Sequence, residues 1–145
     1  MASTSTYLNF PGTTEQAFAF YASVFQTKPL GPTMYMEAAP SPPGAPAPSG
    51  ADKKLVMHIA LPILGGHVLM GTDAVGSMGH TLTMGNNFSL QLEPDSRADA
   101  DRLYAALSSG GKATTPMQEM FWGAYWGACV DRFGVQWMVN CTAKT

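Results

Sequence analysis

Tyr7-Leu8-Asn9-Phe10 leads into a helical stretch, Thr14–Phe25, and Phe88-Ser89-Leu90-Gln91-Leu92-Glu93 leads into another, Arg97–Ser108. Three further strand candidates follow each start: residues 34–37, 55–61 and 67–72 after the first, and 112–115, 125–130 and 135–140 after the second. The chain therefore spells β-α-β-β-β twice, and internal repetition of this kind is an architectural signal. It predicts an α+β fold. Two tandem modules, residues 7–73 and 87–140 of a single domain spanning 1–145, are expected to form a curved mixed sheet around a concave cavity large enough for a small molecule.

The helices are punctuated in the sequence. Thr13 with Gln16 matches a capping box, which satisfies amide donors left over at a helix start. Ala17, Phe18, Tyr21, Val24 and Phe25 recur at helical spacing as one apolar stripe. Ser96 with Asp99 starts the second helix, whose stripe is Ala100, Leu103, Tyr104 and Leu107. Gly110-Gly111 ends it, in the left-handed geometry that other residues resist. Between the second and third strands, five prolines in the nine residues 40–48 exclude helix and predict an extended connector or flap.

The two hairpins assign faces. A two-residue turn at Gly65-Gly66 pairs Leu61 with Met70 and His58 with Asp73. Met57, Ile59, Leu61, Ile63, Val68, Met70 and Thr72 then lie under a helix, while His58, Ala60, His67, Leu69, Gly71 and Asp73 line the other, mixed face. A turn at Asp131-Arg132-Phe133-Gly134 pairs Val130 with Val135, Ala128 with Trp137 and Trp126 with Val139. Tyr125, Gly127, Cys129, Gln136, Met138 and Asn140 then line the second mixed face. A slip of one residue reverses such assignments.

Length and composition fit one ordinary globular domain. The chain has 145 residues, 46% of them hydrophobic and 12% charged, with a formal net charge of −2. No basic run points to nucleic acid, and no apolar run approaches a membrane span. Residues 1–6 lack the charged and apolar regions of a signal peptide. Cys129 and Cys141 form no metal or redox pattern, so reduced thiols in the cytoplasm are expected.

Several segments together resemble the PhnB-like proteins of the vicinal oxygen chelate superfamily, which includes glyoxalase I, bleomycin-resistance proteins and extradiol dioxygenases. In the first module these are Tyr7-Leu8-Asn9-Phe10, Phe20-Tyr21 with Phe25, Met57-His58, and Gly65-Gly66-His67-Val68-Leu69-Met70 with Asp73. In the second they are Ala100-Asp101-Arg102-Leu103 with Leu107 and Gly110-Gly111, Phe121-Trp122-Gly123, and Asp131-Arg132-Phe133-Gly134-Val135-Gln136-Trp137. The resemblance covers residues 7–140. It implies paired β-α-β-β-β modules, a homodimer, and a small organic ligand or substrate.

Metal-using members of that superfamily place histidine, glutamate or glutamine on the first and last strands of each module. The corresponding positions here are Tyr7 or Asn9, Leu69 or Gly71, Ser89 or Gln91, and Met138. A hard divalent ion gains nothing from leucine or methionine, so the usual metal set is absent or heavily altered, no cofactor is assured, and a divalent metal belongs to the alternative, metal-assisted reading. Relatives also carry a 3-demethylubiquinone methyltransferase label. The sequence lacks the glycine-rich strand-to-helix loop that commonly cradles a nucleotide-type methyl donor, and methyl transfer is rejected on that ground.

His58 and Asp73 form the sharpest candidate pair. Opposed across a hairpin, the carboxylate would orient the imidazole for acid–base work; the alternative is a structural ion pair. Tyr7, Asn9, Gln91, Trp122, Tyr125 and Gln136 are the candidate ligand-binding residues, because aromatic walls with sparse polar groups typify small-molecule pockets. His67 is expected to face solvent, His80 to be a loop residue, and Cys129 to be a packing residue without an adjacent base. Glu93 and Glu119 are the remaining acids of interest. The expected role is small-molecule binding. A lyase, isomerase or dioxygenase with His58 as base or ligand is the alternative.

Overall fold

Helix α1, Thr14–Phe25, buries Ala17, Phe18, Tyr21 and Val24, and α2, Arg97–Ser108, buries Ala100, Leu103 and Leu107. Both stripes need a sheet to cover, and each finds one in its own half of the chain. The computed structural model describes residues 1–145, which divide into two units, Met1–Thr83 and Met84–Thr145. In the first unit, β1 (Thr6–Phe10), β2 (Met34–Tyr35), β3 (Val56–Pro62) and β4 (Val68–Asp73) form a sheet of order β1-β4-β3-β2. In the second, β5 (Leu90–Leu92), β6 (Lys112–Glu119), β7 (Tyr125–Val130) and β8 (Gln136–Cys141) form the equivalent order β5-β8-β7-β6. The first and last strands of each unit pair in parallel and the others antiparallel, so the duplication extends to topology.

The register departs from the sequence expectation by one residue in both hairpins. Leu61 faces Leu69 and Ile59 faces Gly71 in the first; Ala128 faces Met138 and Cys129 faces Trp137 in the second. The cause is the same in each. Ile63 N–H bonds the His67 carbonyl at 2.7 Å across residues 64–66, and Asp131 N–H bonds the Val135 carbonyl at 2.9 Å across residues 132–134. These are three-residue loops, each ending in a glycine at positive φ, 79° at Gly66 and 89° at Gly134. Because side chains alternate with period two, a loop one residue longer than the expected two-residue turn in the first hairpin, and one shorter than the expected four-residue turn in the second, turns one strand of each over.

The helix-covered face of the first sheet therefore holds Leu8, Phe10, Ile59, Leu61, Leu69 and Asp73, all buried. Val68, Met70 and Thr72 lie on the other face. In the second sheet Cys129, Trp137, Val139 and Cys141 are buried under α2, and Trp126 and Val130 belong to the face that holds Gln136, Met138 and Asn140.

The helix starts also differ from one another. Ser96 Oγ accepts from Asp99 N–H at 3.1 Å, as its sequence implies. Thr13, by contrast, makes no side-chain cap bond. At α1 the acceptor comes from the sheet: Asp73 Oδ1 takes Thr14 N–H at 3.0 Å and the Thr14 hydroxyl at 2.7 Å. A carboxylate at a helix N-terminus also meets the positive end of the helix dipole. The proline segment is not a continuous extended rod, since Ala45 N–H bonds the Pro42 carbonyl at 3.0 Å and closes a turn.

Candidate functional site

With helices on one face, the opposite face of each sheet is where side chains remain accessible. In the first unit, β1 contributes Tyr7 and Asn9, β3 contributes His58 and Ala60, and β4 contributes Met70 and Thr72, with Met34 of β2 opposite His58. Tyr7 is 47% exposed and Met34 44%, so this face is open to a ligand. The phenol of Tyr7 lies 3.1 Å from Nδ1 of His58, with ring centroids 5.8 Å apart. Partial burial pushes the Tyr7 phenol above the ordinary tyrosine range, so it keeps its proton. The two groups share one hydrogen bond whose direction follows the imidazole tautomer, because a phenol can both donate and accept.

The His58–Asp73 pair does not form. Asp73 is only 2% exposed and lies on the helix face, where its second oxygen accepts from Val56 N–H at 2.8 Å. Its carboxylate ties α1, β3 and β4 together, and the partner that orients His58 is Tyr7. Leu69 and Gly71, expected at the cavity, are likewise buried beneath α1, and Met70 and Thr72 occupy the open positions instead.

In the second unit the open face is amide-rich. Gln91 Nε2 donates to Glu93 Oε1 at 3.2 Å, Asn140 Nδ2 donates to the same oxygen at 3.3 Å, and Gln136 Nε2 donates to the Phe88 carbonyl. Trp122, in the turn between β6 and β7, is 51% exposed and meets Trp126 edge-on at 6.1 Å and Phe121 at 5.0 Å. Tyr125 is the second displaced residue. It points to the helix side, its hydroxyl donating to Asp101 at 2.7 Å while the Arg97 guanidinium sits 4.9 Å from its ring centre. Arg97 also pairs with Glu119, whose carboxyl is held below the usual range by that hydrogen bond, so Glu119 belongs to the same helix-side cluster.

The remaining candidates are accounted for locally. His67 Nε2 lies 2.9 Å from the Thr6 hydroxyl, so it is part-buried rather than solvated. Cys129 is 2% exposed, and burial, then the charge of Asp131, pushes its thiol up to about 11. It follows that the folded state holds this proton to higher pH than the unfolded chain, whose thiols titrate near ~8.5. The native protein at pH 8 is expected to resist iodoacetamide at both buried cysteines and to react fully in urea. The thiol's favourable contribution should fade as pH rises from ~8.5 through about 11. Rapid native labelling at Cys129 would contradict the packing role.

A metal centre of the superfamily type finds no fit in these residues. The open positions of the first and last strands carry Tyr7, Asn9, Met70, Thr72, Gln91, Gln136, Met138 and Asn140. Glu93 is the one carboxylate beside them and serves two amides. Nowhere do three His, Cys, Asp or Glu side chains converge. Thioethers offer a hard divalent ion nothing, and amide carbonyls without converging carboxylate or imidazole ligands bring no charge to hold it.

Comparisons with known proteins agree with this fold over its length. The sequence model of the family described as 3-demethylubiquinone-9 3-methyltransferase matches residues 2–140. Protein YjdN of Escherichia coli K12 is 29% identical over 140 residues, covering 94% of this chain and 92% of its own. Among solved structures, protein PA1353 from Pseudomonas aeruginosa superposes with a TM-score of 0.82 at 31% identity, covering 97% and 98% of the two chains. A PhnB protein from Bacillus cereus gives 0.73 at 23% identity, covering 97% and 99%. A glyoxalase/bleomycin resistance protein/dioxygenase family enzyme from Burkholderia phytofirmans gives 0.63 at 19%, covering 95% and 98%, a likeness of fold alone.

Proposed function

We propose that this chain, which belongs to the PhnB-like family described as 3-demethylubiquinone-9 3-methyltransferase within the glyoxalase/bleomycin-resistance superfamily, binds a small, partly apolar organic molecule on its open strand faces. The observation that carries this reading is the Tyr7–His58 pair. A phenol and an imidazole stand hydrogen-bonded on an accessible face among Met34, Ala60 and Met70. Thioethers adapt to flat apolar surfaces, and the polar edge of the Tyr7–His58 pair supplies direction. Tyr7, Asn9 and His58 are the proposed contacts on the first sheet, and Gln91, Gln136 and Trp122 are separate candidates in the second unit.

The family description names methyl transfer, and the reading departs from it. The turn from β1 to α1 is Pro11-Gly12-Thr13, and the Thr14 N–H at the helix start is occupied by Asp73. A methyl donor of nucleotide type would need that helix start and a parallel sheet around it. The same Tyr7–His58 pair favours a second reading, a lyase, isomerase or dioxygenase in which His58 moves a proton and Tyr7 takes the orienting role. The proposal also includes a homodimer in the cytoplasm; free buried thiols and two open sheet faces support it. No helix is long and apolar enough to cross a membrane.

Thermal-shift screening against neutral aromatic and carbonyl-bearing metabolites tests the binding role. His58→Ala and Tyr7→Phe should each weaken a ligand so found by roughly tenfold, the worth of one well-placed hydrogen bond. Stoichiometric divalent metal in protein purified without chelator or histidine tag would overturn the metal-free reading. Turnover that survives His58→Ala would remove His58 from the second.

A further inference from the structure

We infer that His80 is a ligand-contacting residue, and that the hollow it helps to form receives a neutral carbonyl group, amide- or ester-like, from the molecule bound on the first sheet. The inference rests on the ligand-binding reading above and adds to it a position and a chemistry. β1 and β4 run in parallel with Asn9 beside Thr72, so both strands end together. Beyond them residues 74–82 fold back, leaving a hollow of about 420 Å3 lined by Asn9, Thr72, Asp73, Ala74, His80, Thr81 and Leu82.

His80 is not a slack loop residue. Its Nδ1 accepts from Val75 N–H at 3.0 Å, and its own N–H bonds the Val75 carbonyl at 3.1 Å. Val75 is in turn 3% exposed, and Ala74 N–H is tied to the Phe10 carbonyl at 2.8 Å. An imidazole accepting at Nδ1 carries its proton on Nε2. The hollow is thus lined by a ring N–H donor, by the donor and acceptor of the Asn9 carboxamide, and by the Thr72 hydroxyl, whose proton is given to the Val56 carbonyl at 3.3 Å.

The one charge in the lining is the Asp73 carboxylate, which is turned to the helix face. Both oxygens of Asp73 are taken by Thr14 and Val56, and no lysine or arginine is present. A cation would find no free carboxylate oxygen to bond, and an anion would lack a cationic donor and meet the Asp73 charge. A neutral carbonyl oxygen meets the Nε2–H and the carboxamide N–H, and Leu82 supplies an apolar wall for the carbon skeleton.

The test uses 15N-labelled full-length protein, with 2-pyrrolidinone as the carbonyl probe and acetate and methylammonium as controls. Long-range imidazole spectra should give the Nε2–H tautomer for His80. Titration with 2-pyrrolidinone should move the His80 Nε2 and Asn9 side-chain resonances saturably, and Asn9→Ala, which leaves the loop's own bonds intact, should weaken that response roughly fivefold or more. An Nδ1–H tautomer overturns the inference. So does a saturable response to acetate or methylammonium instead of the amide. Shifts confined to Tyr7 and His58 also overturn it while leaving the binding reading standing; silence at every open-strand residue, across the metabolite panel as well, counts against both.

Discussion

Replacing Asp73 by alanine is expected to lower the stability of the first unit by ~3–5 kcal/mol, a large share of the ~5–15 kcal/mol that holds an ordinary domain together. The carboxylate accepts Thr14 N–H, the Thr14 hydroxyl and Val56 N–H at 3.0, 2.7 and 2.8 Å. Thr14 and Val56 are themselves fully buried, so water cannot replace what alanine removes. The three donors belong to the start of α1 and the start of β3, and the acceptor to the end of β4, so a single deletion loosens three elements at once. Asp73→Asn keeps one acceptor oxygen but turns an amide N–H toward one of the donors, and should cost ~2–3 kcal/mol. Thr14→Val loses one bond of three, ~1–2 kcal/mol. Urea titration should give midpoints falling in the order Thr14→Val, Asp73→Asn, Asp73→Ala. An Asp73→Ala midpoint equal to wild type would mean that the carboxylate is not the lock described.

That result would also separate two roles which sequence alone could not. A glycine pair suggests a two-residue turn, the common link between antiparallel strands, and such a turn sets Asp73 opposite His58. The helices were fully legible: a stripe repeating every three to four residues leaves no freedom, and both run over the expected spans, Thr14–Phe25 and Arg97–Ser108. Strand positions were legible for a similar reason. Register was not, because Gly65-Gly66 and Asp131-Arg132-Phe133-Gly134 are each compatible with loops differing by one residue, and β4 carries apolar side chains on both faces. Val68, Leu69 and Met70 would each suit burial, so hydrophobicity could not choose among them. His80 was hidden for another reason. Its partner, Val75 N–H, is a backbone group, and backbone partners leave no residue signature.

The second large effect is expected at Gly111, and its contrast with Gly110 distinguishes two uses of glycine that look alike in sequence. Gly110 has φ of 76°, so alanine there is strained, yet its added carbon would meet the flexible, exposed Arg132 side chain, 3.0 Å from Nε. The cost should be ~1 kcal/mol. At Gly111 the obstacle is main chain: a Cβ would lie 2.2 Å from the Val130 carbonyl oxygen and 2.7 Å from the Asp131 carbonyl carbon. That backbone cannot easily withdraw. The buried Asp131 carboxylate accepts Phe133 N–H at 2.8 Å, Val135 N–H at 3.1 Å and the Trp137 indole N–H at 2.8 Å, which fixes the loop to the core. Gly111→Ala should therefore cost at least ~3 kcal/mol, the range of overpacking against unyielding structure. The added methyl would push apart the exit of α2 and the β7–β8 loop, the loop whose length sets which face Gln136, Met138 and Asn140 occupy. Loss of the near-ultraviolet signal of Trp137 should accompany the fall in urea midpoint for Gly111→Ala and be absent for Gly110→Ala. The reverse order would show that left-handed backbone geometry, rather than close approach, is what this glycine pair supplies.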